Sequence, residues 1–234
     1  MTRIILVRHC EAQGNTDGFF QGCIDCDISG NGEAQLELLS VRCRNMPFDA
    51  IYSSPLKRAR TTAEAINRYH NLPIQIEPRL HEIDGGEYEG RPWDELTRCY
   101  PEELQNWYSS PFDFAPKGGE TMKAVYSRMW DAITDIVRDN QDKTVCVVSH
   151  GCAIRNFLCQ ALHKPIEEIN DVGWGDNTAI SIIDFSSDLQ STVISKNDST
   201  HLTPEISVYA QQKWRMAENQ ASFTGEENNE DTCC

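Results

Sequence analysis

The stretch RIILVRHCEAQGN, residues 3–15, runs through four apolar residues into Arg8 and His9. Two later runs end in the same way: FDAIYSSP leads to Ser53 and Ser54, and KTVCVVSHG leads to Ser149, His150 and Gly151. A guanidinium stays charged at any working pH and matches phosphate oxygens two at a time, so Arg8 and Arg58 suit a phosphoryl dianion. A neutral imidazole nitrogen can attack phosphorus and form a phosphoramidate that water or another acceptor then takes. Such a step needs a carboxyl group to protonate the departing oxygen and afterwards to activate the acceptor. RLHEIDGGEYEG offers Glu82, Asp84, Glu87 and Glu89, and spacing alone does not choose among them. The two histidines could instead ligate a metal, but a catalytic zinc takes a third protein ligand and gains nothing from adjacent guanidiniums. A lone arginine after a strand is most often a surface residue; two arginines converging with two histidines argue for a phosphoryl group.

These residues need elements that bring them together. RIILVRH, FDAIYSSP, KTVCVVSHG and NTAISIIDF are short runs rich in β-branched residues, separated by longer segments with helical spacing of apolar residues. That alternation predicts an α/β fold, a three-layer α/β/α sandwich around a mainly parallel sheet buried on both faces. Ligands bind outside the carboxyl ends of the strands in such sheets, so the three polar strand ends meet if those strands are neighbours. PIQIEP and STVIS are weaker candidate strands, the second suited to an edge. Ser54 reads as the N-cap and Pro55 as a first-turn residue of a helix with Leu56, Ala59, Ala63 and Ile66 on one face. A helix start at Gly151 would add backbone donors for the same anion. GETMKAVYSRMWDAITDIVRD has the spacing of a long amphipathic helix. Across 86–119, aromatic residues including Trp93, Trp107 and Tyr108 alternate with prolines and acidic residues. They predict an inserted lid whose aromatics form either a stacking wall or a small core.

At 234 residues the chain is expected to form one domain over 1–216, and 217–234 form an acidic end too poor in apolar residues to pack, predicted disordered. A net charge of −15 disfavours a nucleic-acid backbone or an anionic membrane as partner, and any phosphate site must be local. No apolar stretch approaches the roughly 20 residues of a membrane span, and no secretory h-region opens the chain, which predicts a cytoplasmic protein. The ten cysteines are scattered and expected to be reduced. Cys23 and Cys26 have zinc or redox spacing, yet no second pair follows, so they read as loop cysteines.

In order along residues 3–185, these motifs resemble those of the histidine phosphatase superfamily, in its phosphoglycerate-mutase-like branch. VRHCEAQGN resembles the family's Arg-His-Gly-Glu box, SSPLKRARTTAEAI its second phosphate arginine, LHEIDGGEYEG its acid/base segment and VVSHGCAIR its second histidine; GGET at 118–121 also resembles a family segment. The resemblance implies a histidine acid-type phosphomonoesterase with His9 as the phosphorylated nucleophile and Glu82 as general acid and then base. Arg8, Arg58 and His150 would bind the phosphoryl group, with Gly151 beside them and Asn15 and Gln21 at the pocket edge. His81 reads as a lid or surface residue. No metal and no cofactor would be needed. The expected partner is a small phosphorylated metabolite, and a homodimer stays open.

Three positions depart from the pattern. Cys10 replaces a glycine, Ala12 replaces a small hydroxyl residue, and Gly85 stands where an aromatic commonly follows the acid/base glutamate. If the backbone at Cys10 requires positive φ, a cysteine is strained there; if not, its side chain narrows the pocket. In either case the site is expected to survive; beside two arginines and a histidine, acidification of the thiol and redox inhibition stand as a hypothesis. Two other functions compete with hydrolysis. A bisphosphate-primed phosphoglycerate mutase is weakened by Ile83, Asp84, Gly85 and Gly86, which lack the basic residues that would hold a carboxylate. A weakly catalytic phosphate-binding or interaction module is motivated by the three departures and opposed by the presence of all five central residues.

Overall fold

The computed structural model describes residues 1–211; the expected tail at 217–234, with Cys233 and Cys234, lies outside them. In chain order the elements are β1 (Thr2–Arg8), α1 (Gln13–Asp17), α2 (Gly30–Cys43), β2 (Ala50–Ser53), α3 (Lys57–Asn67) and β3 (Ile74–Ile76), followed by α4 (Trp93–Cys99) and α5 (Pro101–Ser109). Then come α6 (Met122–Asp139), β4 (Thr144–Ser149), α7 (Gly151–Ala161), β5 (Ile180–Phe185), β6 (Ser191–Asp198) and α8 (Val208–Gln211).

The strands form one sheet in the order β3-β2-β4-β1-β5-β6. The β3-β2, β2-β4 and β4-β1 pairs are parallel, and β5 runs antiparallel to both β1 and β6. The two weak runs, PIQIEP and STVIS, supply β3 and β6, the two edges. Successive side chains of a strand point to opposite faces, and each face of the centre is apolar. On one face Ile4, Leu6, Val145 and Val147 pack with Met129 and Ile133 of α6 and Phe157 of α7. On the other Ile5, Val7, Cys146 and Val148 pack with Leu39 of α2 and Ala63 and Ile66 of α3. The fold is therefore the α/β/α sandwich that the alternation of runs predicts.

The long amphipathic helix is α6, capped by the Thr121 hydroxyl, which accepts from the Ala124 N–H, and Met122, Val125, Met129, Ile133 and Ile136 are all buried. The helix after β2 differs from expectation at its start. It begins at Lys57, with Leu56 at the N-cap and no side-chain cap; the Ser54 hydroxyl, two residues before that N-cap, accepts from the Leu56 N–H and meets His150 across the sheet. In the 86–119 segment, Leu96, Leu104 and Phe114 are buried in the same core as α6 and α7, while Trp93 and Trp107 are partly buried against it.

Candidate active site

The sheet order makes β2, β4 and β1 neighbours, so their polar ends come level. Arg8 pairs with Ser149 and Ser53 with Val148. The ladder continues one step past each strand: the His9 N–H donates to the Ser149 carbonyl at 2.9 Å, and the Ser54 N–H donates to the Val148 carbonyl at 3.0 Å. The His9 and His150 rings end up side by side, with centroids 5.1 Å apart. Arg8, His9, Arg58, Glu82 and His150 are all buried. A cleft of about 580 Å³ opens above them, lined by Arg8, His9, Asn15, Gln21, Glu82 and Gly151 among others. Arg58 and His150 lie behind this lining, both at 0 % exposure.

Each imidazole is held by a neighbour. His9 Nδ1 is 2.6 Å from the Cys10 carbonyl oxygen, which can only accept, so Nδ1 carries the proton and the lone pair is on Nε2. Burial, then the charges of Arg58 and Arg8, hold this imidazole well below its ordinary pKa, so it is neutral near pH 7. At His150 the Ser54 hydroxyl lies 2.6 Å from Nε2. That hydroxyl oxygen also accepts from the Leu56 N–H at 3.3 Å. The other ring nitrogen of His150, Nδ1, is a buried atom with no hydrogen-bond partner among the described residues. Burial, followed by Arg58 and His9, also keeps His150 neutral.

Arg58 donates to the carbonyls of Ile24 and Gly22 at 2.9 and 2.7 Å, which ties the loop after β1 to the start of α3, and its buried Nε makes no hydrogen bond among the described residues. Arg8 donates to the Gly175 carbonyl at 2.6 Å. Arg60 is exposed and lies apart from the site. Gln21 reaches the cleft because residue 14 is glycine: a Cβ there would stand 2.3 Å from Gln21 Oε1. Asn15 lines the same edge, its side-chain oxygen accepting from the Ala12 N–H at 3.1 Å.

Of the four carboxylates left open by spacing, only Glu82 lines the cleft. Its Oε1 accepts from the N–H groups of Ile83 and Ala153, at 2.9 and 3.0 Å, and its Oε2 accepts from the Cys152 N–H at 3.0 Å. Two donors of the first turn of α7, expected to serve the phosphoryl anion, are thus taken by a carboxylate. An unpaired helix N-terminus attracts whichever anion is tethered closest, and Glu82 is fixed there. Asp84 accepts from the Gly86 N–H, Glu87 pairs with Lys117, and Glu89 accepts from the N–H groups of Cys23, Gly85 and Ile24.

The three departures resolve into packing. Cys10 has no positive φ, and its side chain turns into the core with Leu36 and Ala65 instead of narrowing the cleft. Burial pushes its thiol up to about 11, which overturns the hypothesised acidification: the nearby Arg58 contributes less than the loss of water. Ala12 is fully buried. At Gly85 a Cβ would stand 2.4 Å from the Phe20 ring, so an aromatic from the loop after β1 fills the space where a residue-85 side chain would lie.

His81 is half-buried, with Nδ1 donating to the Glu82 carbonyl at 2.6 Å. Cys23 lies with Asp84 and Glu89, their ligand atoms within 4.8 Å of one another. Glu89 is engaged by backbone donors there, and burial with acidic neighbours pushes the Cys23 thiol up to about 12, so this is a braced loop junction. No spacing in the sequence points to Ser54 as the partner of His150. The same holds for Asn177, whose side chain donates to the His9 carbonyl at 3.0 Å, and for Trp174, Arg155 and Tyr209 in the cleft wall.

Comparison with known proteins shows the family. The histidine phosphatase superfamily (branch 1) matches residues 4–198. Phosphoserine phosphatase 1 of Hydrogenobacter thermophilus is 34 % identical over 202 residues, covering 86 % of this chain and 95 % of that protein. A metal-independent phosphoserine phosphatase of Arabidopsis thaliana is 32 % identical over 207 residues, covering 87 % of this chain and 84 % of that protein. The structure of YhfR from Bacillus stearothermophilus superimposes with a TM-score of 0.82 at 27 % identity, over 86 % of this chain and 99 % of that one. A buried neutral imidazole, a second imidazole, two arginines and one cleft-lining glutamate thus lie together in this fold, and the chain belongs to the histidine phosphatase superfamily, branch 1.

Proposed function

We propose that this phosphatase hydrolyses small phosphomonoesters through a phosphohistidine on His9, without a metal. The observation that carries the reading is His9 itself: a buried, neutral imidazole with its proton committed to the Cys10 carbonyl and its Nε2 lone pair beneath the cleft. In the first step Nε2 forms a bond to phosphorus while the bond to the leaving oxygen breaks, and the Glu82 carboxyl gives its proton to that oxygen. Glu82 Oε2, which accepts a single hydrogen bond, is the oxygen assigned to this proton. In the second step Glu82 takes a proton from water, the water oxygen bonds to phosphorus, and the electron pair of the broken N–P bond returns to Nε2. Arg8, Arg58 and His150 neutralise the equatorial oxygens throughout, which is the largest share of such catalysis. Asn15, Gln21 and Gly151 border the phosphoryl group.

Among the described residues no helix is long and apolar enough to cross a membrane, and eight cysteines are free. A cytoplasmic setting with a small phosphorylated metabolite as substrate goes with both.

The test is phosphate release from p-nitrophenyl phosphate and a panel of monoesters in excess EDTA, for wild type and His9→Ala. Turnover that resists EDTA and is lost by about 10³-fold or more in the variant supports the reading. 32P labelling of the protein, quenched in alkaline detergent where an N–P bond persists, that survives in His9→Ala would remove His9 as nucleophile. Phosphoryl return to phosphoglycerate in place of release to water would favour a mutase.

A further inference from the structure

We propose that the leaving group this phosphatase selects carries a flat, uncharged ring, placed one or two atoms from the phosphate, and that Trp174 and Trp107 are the residues that select it. The inference deepens the phosphatase reading and rests on it.

Trp174 stands against the phosphoryl clamp. A Cβ placed on Gly151 would lie 3.4 Å from Trp174 Cζ3 and 3.4 Å from Arg8 Cζ, so the indole edge and the guanidinium flank one point at the start of α7. A group bonded to a phosphoryl held by Arg8 must therefore pass the indole. From there aromatic rings continue outward: Trp174 to Trp107 is 6.0 Å between centroids, and Trp107 to Trp93 is 5.7 Å. All three indoles are half-buried, packed against the main core by one part and lining the cleft with another. Wall and core are thus the same residues, and the core packing keeps the wall in place.

The charges near this wall disfavour an anionic leaving group. Among the described residues that line the cleft, Arg155 is the one arginine or lysine besides Arg8. Its Nε donates to the Val172 carbonyl at 2.9 Å and a terminal nitrogen donates to Asn170 Oδ1 at 2.8 Å. Its guanidinium carbon lies 4.8 Å from the Trp174 ring centroid, so this cation braces the indole. Lys164 is paired with Asp171, which lines the cleft, and with Glu168. Gly85 and Gly86 add no cation, and Phe20 fills the space beside Gly85. A carboxylate such as that of phosphoserine meets, in this cleft of about 580 Å³, a wall carrying Trp93, Trp107 and Trp174, with Asp171 beside it and Arg155 engaged by Val172 and Asn170.

The experiment compares kcat/KM for ethyl phosphate, 2-cyclohexylethyl phosphate, 2-phenylethyl phosphate and phosphoserine. The expected order places 2-phenylethyl phosphate about 30-fold above ethyl phosphate and about fivefold above its cyclohexyl counterpart, with phosphoserine at least about tenfold below it. In Trp174→Leu and Trp107→Leu, checked for unchanged thermal unfolding, the phenyl-to-ethyl ratio should fall about tenfold, chiefly through KM. Should both variants misfold, calorimetric titration of His9→Ala with 2-phenylethyl phosphate and with phosphoserine decides the matter, the first expected to bind at least tenfold more tightly. Phosphoserine matching or exceeding 2-phenylethyl phosphate, or a phenyl preference that survives in folded variants, overturns the proposal. EDTA-resistant, His9-dependent turnover of ethyl phosphate alongside such a result would show that only the selectivity, and not the phosphatase reading, had failed.

Discussion

The Ser54 hydroxyl and His150 Nε2 are 2.6 Å apart, joined across 96 positions of sequence. Through this contact a serine at the end of β2 holds the ring of a histidine after β4 in place. Ser54→Ala removes this partner and leaves a buried ring nitrogen unpaired. The expected outcome is a loss of about 1–3 kcal/mol in stability and about a tenfold fall in kcat/KM. Ser54→Thr, which keeps the hydroxyl, should restore most of the activity at equal or lower stability. An alanine variant with wild-type kcat/KM and unfolding midpoint would show the contact to be idle.

His9 and His150 both have pKa values lowered in the folded protein, first by burial and then by arginine charge. In the unfolded chain histidine titrates near 6.5. Between the folded values and about 6.5 the unfolded state therefore binds more protons, and stability falls as pH falls through that window. Above about 6.5 these two groups contribute no further change. Urea midpoints at pH 7.5, 6.5 and 5.5 should decline on the acid side in wild type and decline less steeply in His9→Ala. An identical acid slope in the two proteins would refute the assignment.

Burial is expected to keep Cys10 unreactive in the native state. With the thiol buried and pushed up to about 11, alkylation at pH 7.5 and mild peroxide should leave activity unchanged on the timescale that modifies exposed thiols. Cys10→Ala should keep the phosphatase active while costing about 0.5–1.5 kcal/mol for the space left beside Leu36 and Ala65. Inhibition by peroxide that disappears in Cys10→Ala would reinstate a redox role.

Phe20 and Gly85 share one volume. Gly85→Ala should lower stability by about 1–3 kcal/mol, because the new Cβ meets a ring held by Trp93, Trp107 and Phe114. Phe20→Leu in the same chain should recover part of that loss, giving a coupling energy in a double-mutant cycle. Strict additivity of the two changes would mean that the contact is not felt.

The fold and the centre of the site were legible because both are written locally. Each of Arg8, His9 and His150 ends a run of apolar residues, and such a run in a parallel sheet delivers its last residue to the ligand edge whatever the rest of the chain does. Arg58 and Glu82 were legible as members of short motifs, although spacing alone left Glu82 among four carboxylates. Tertiary structure decided what depended on residues distant in sequence. It docked Glu82 on the start of α7, turned Cys10 away from the cleft, brought Ser54 to His150, and set Phe20 in the place beside Gly85. It also brought Trp174, more than sixty positions after Trp107, into one wall with it. The reason is physical: an N-cap, a thiol's acidity or an aromatic's role depends on which donors, charges and voids lie within a few ångströms, and folding alone fixes those neighbours.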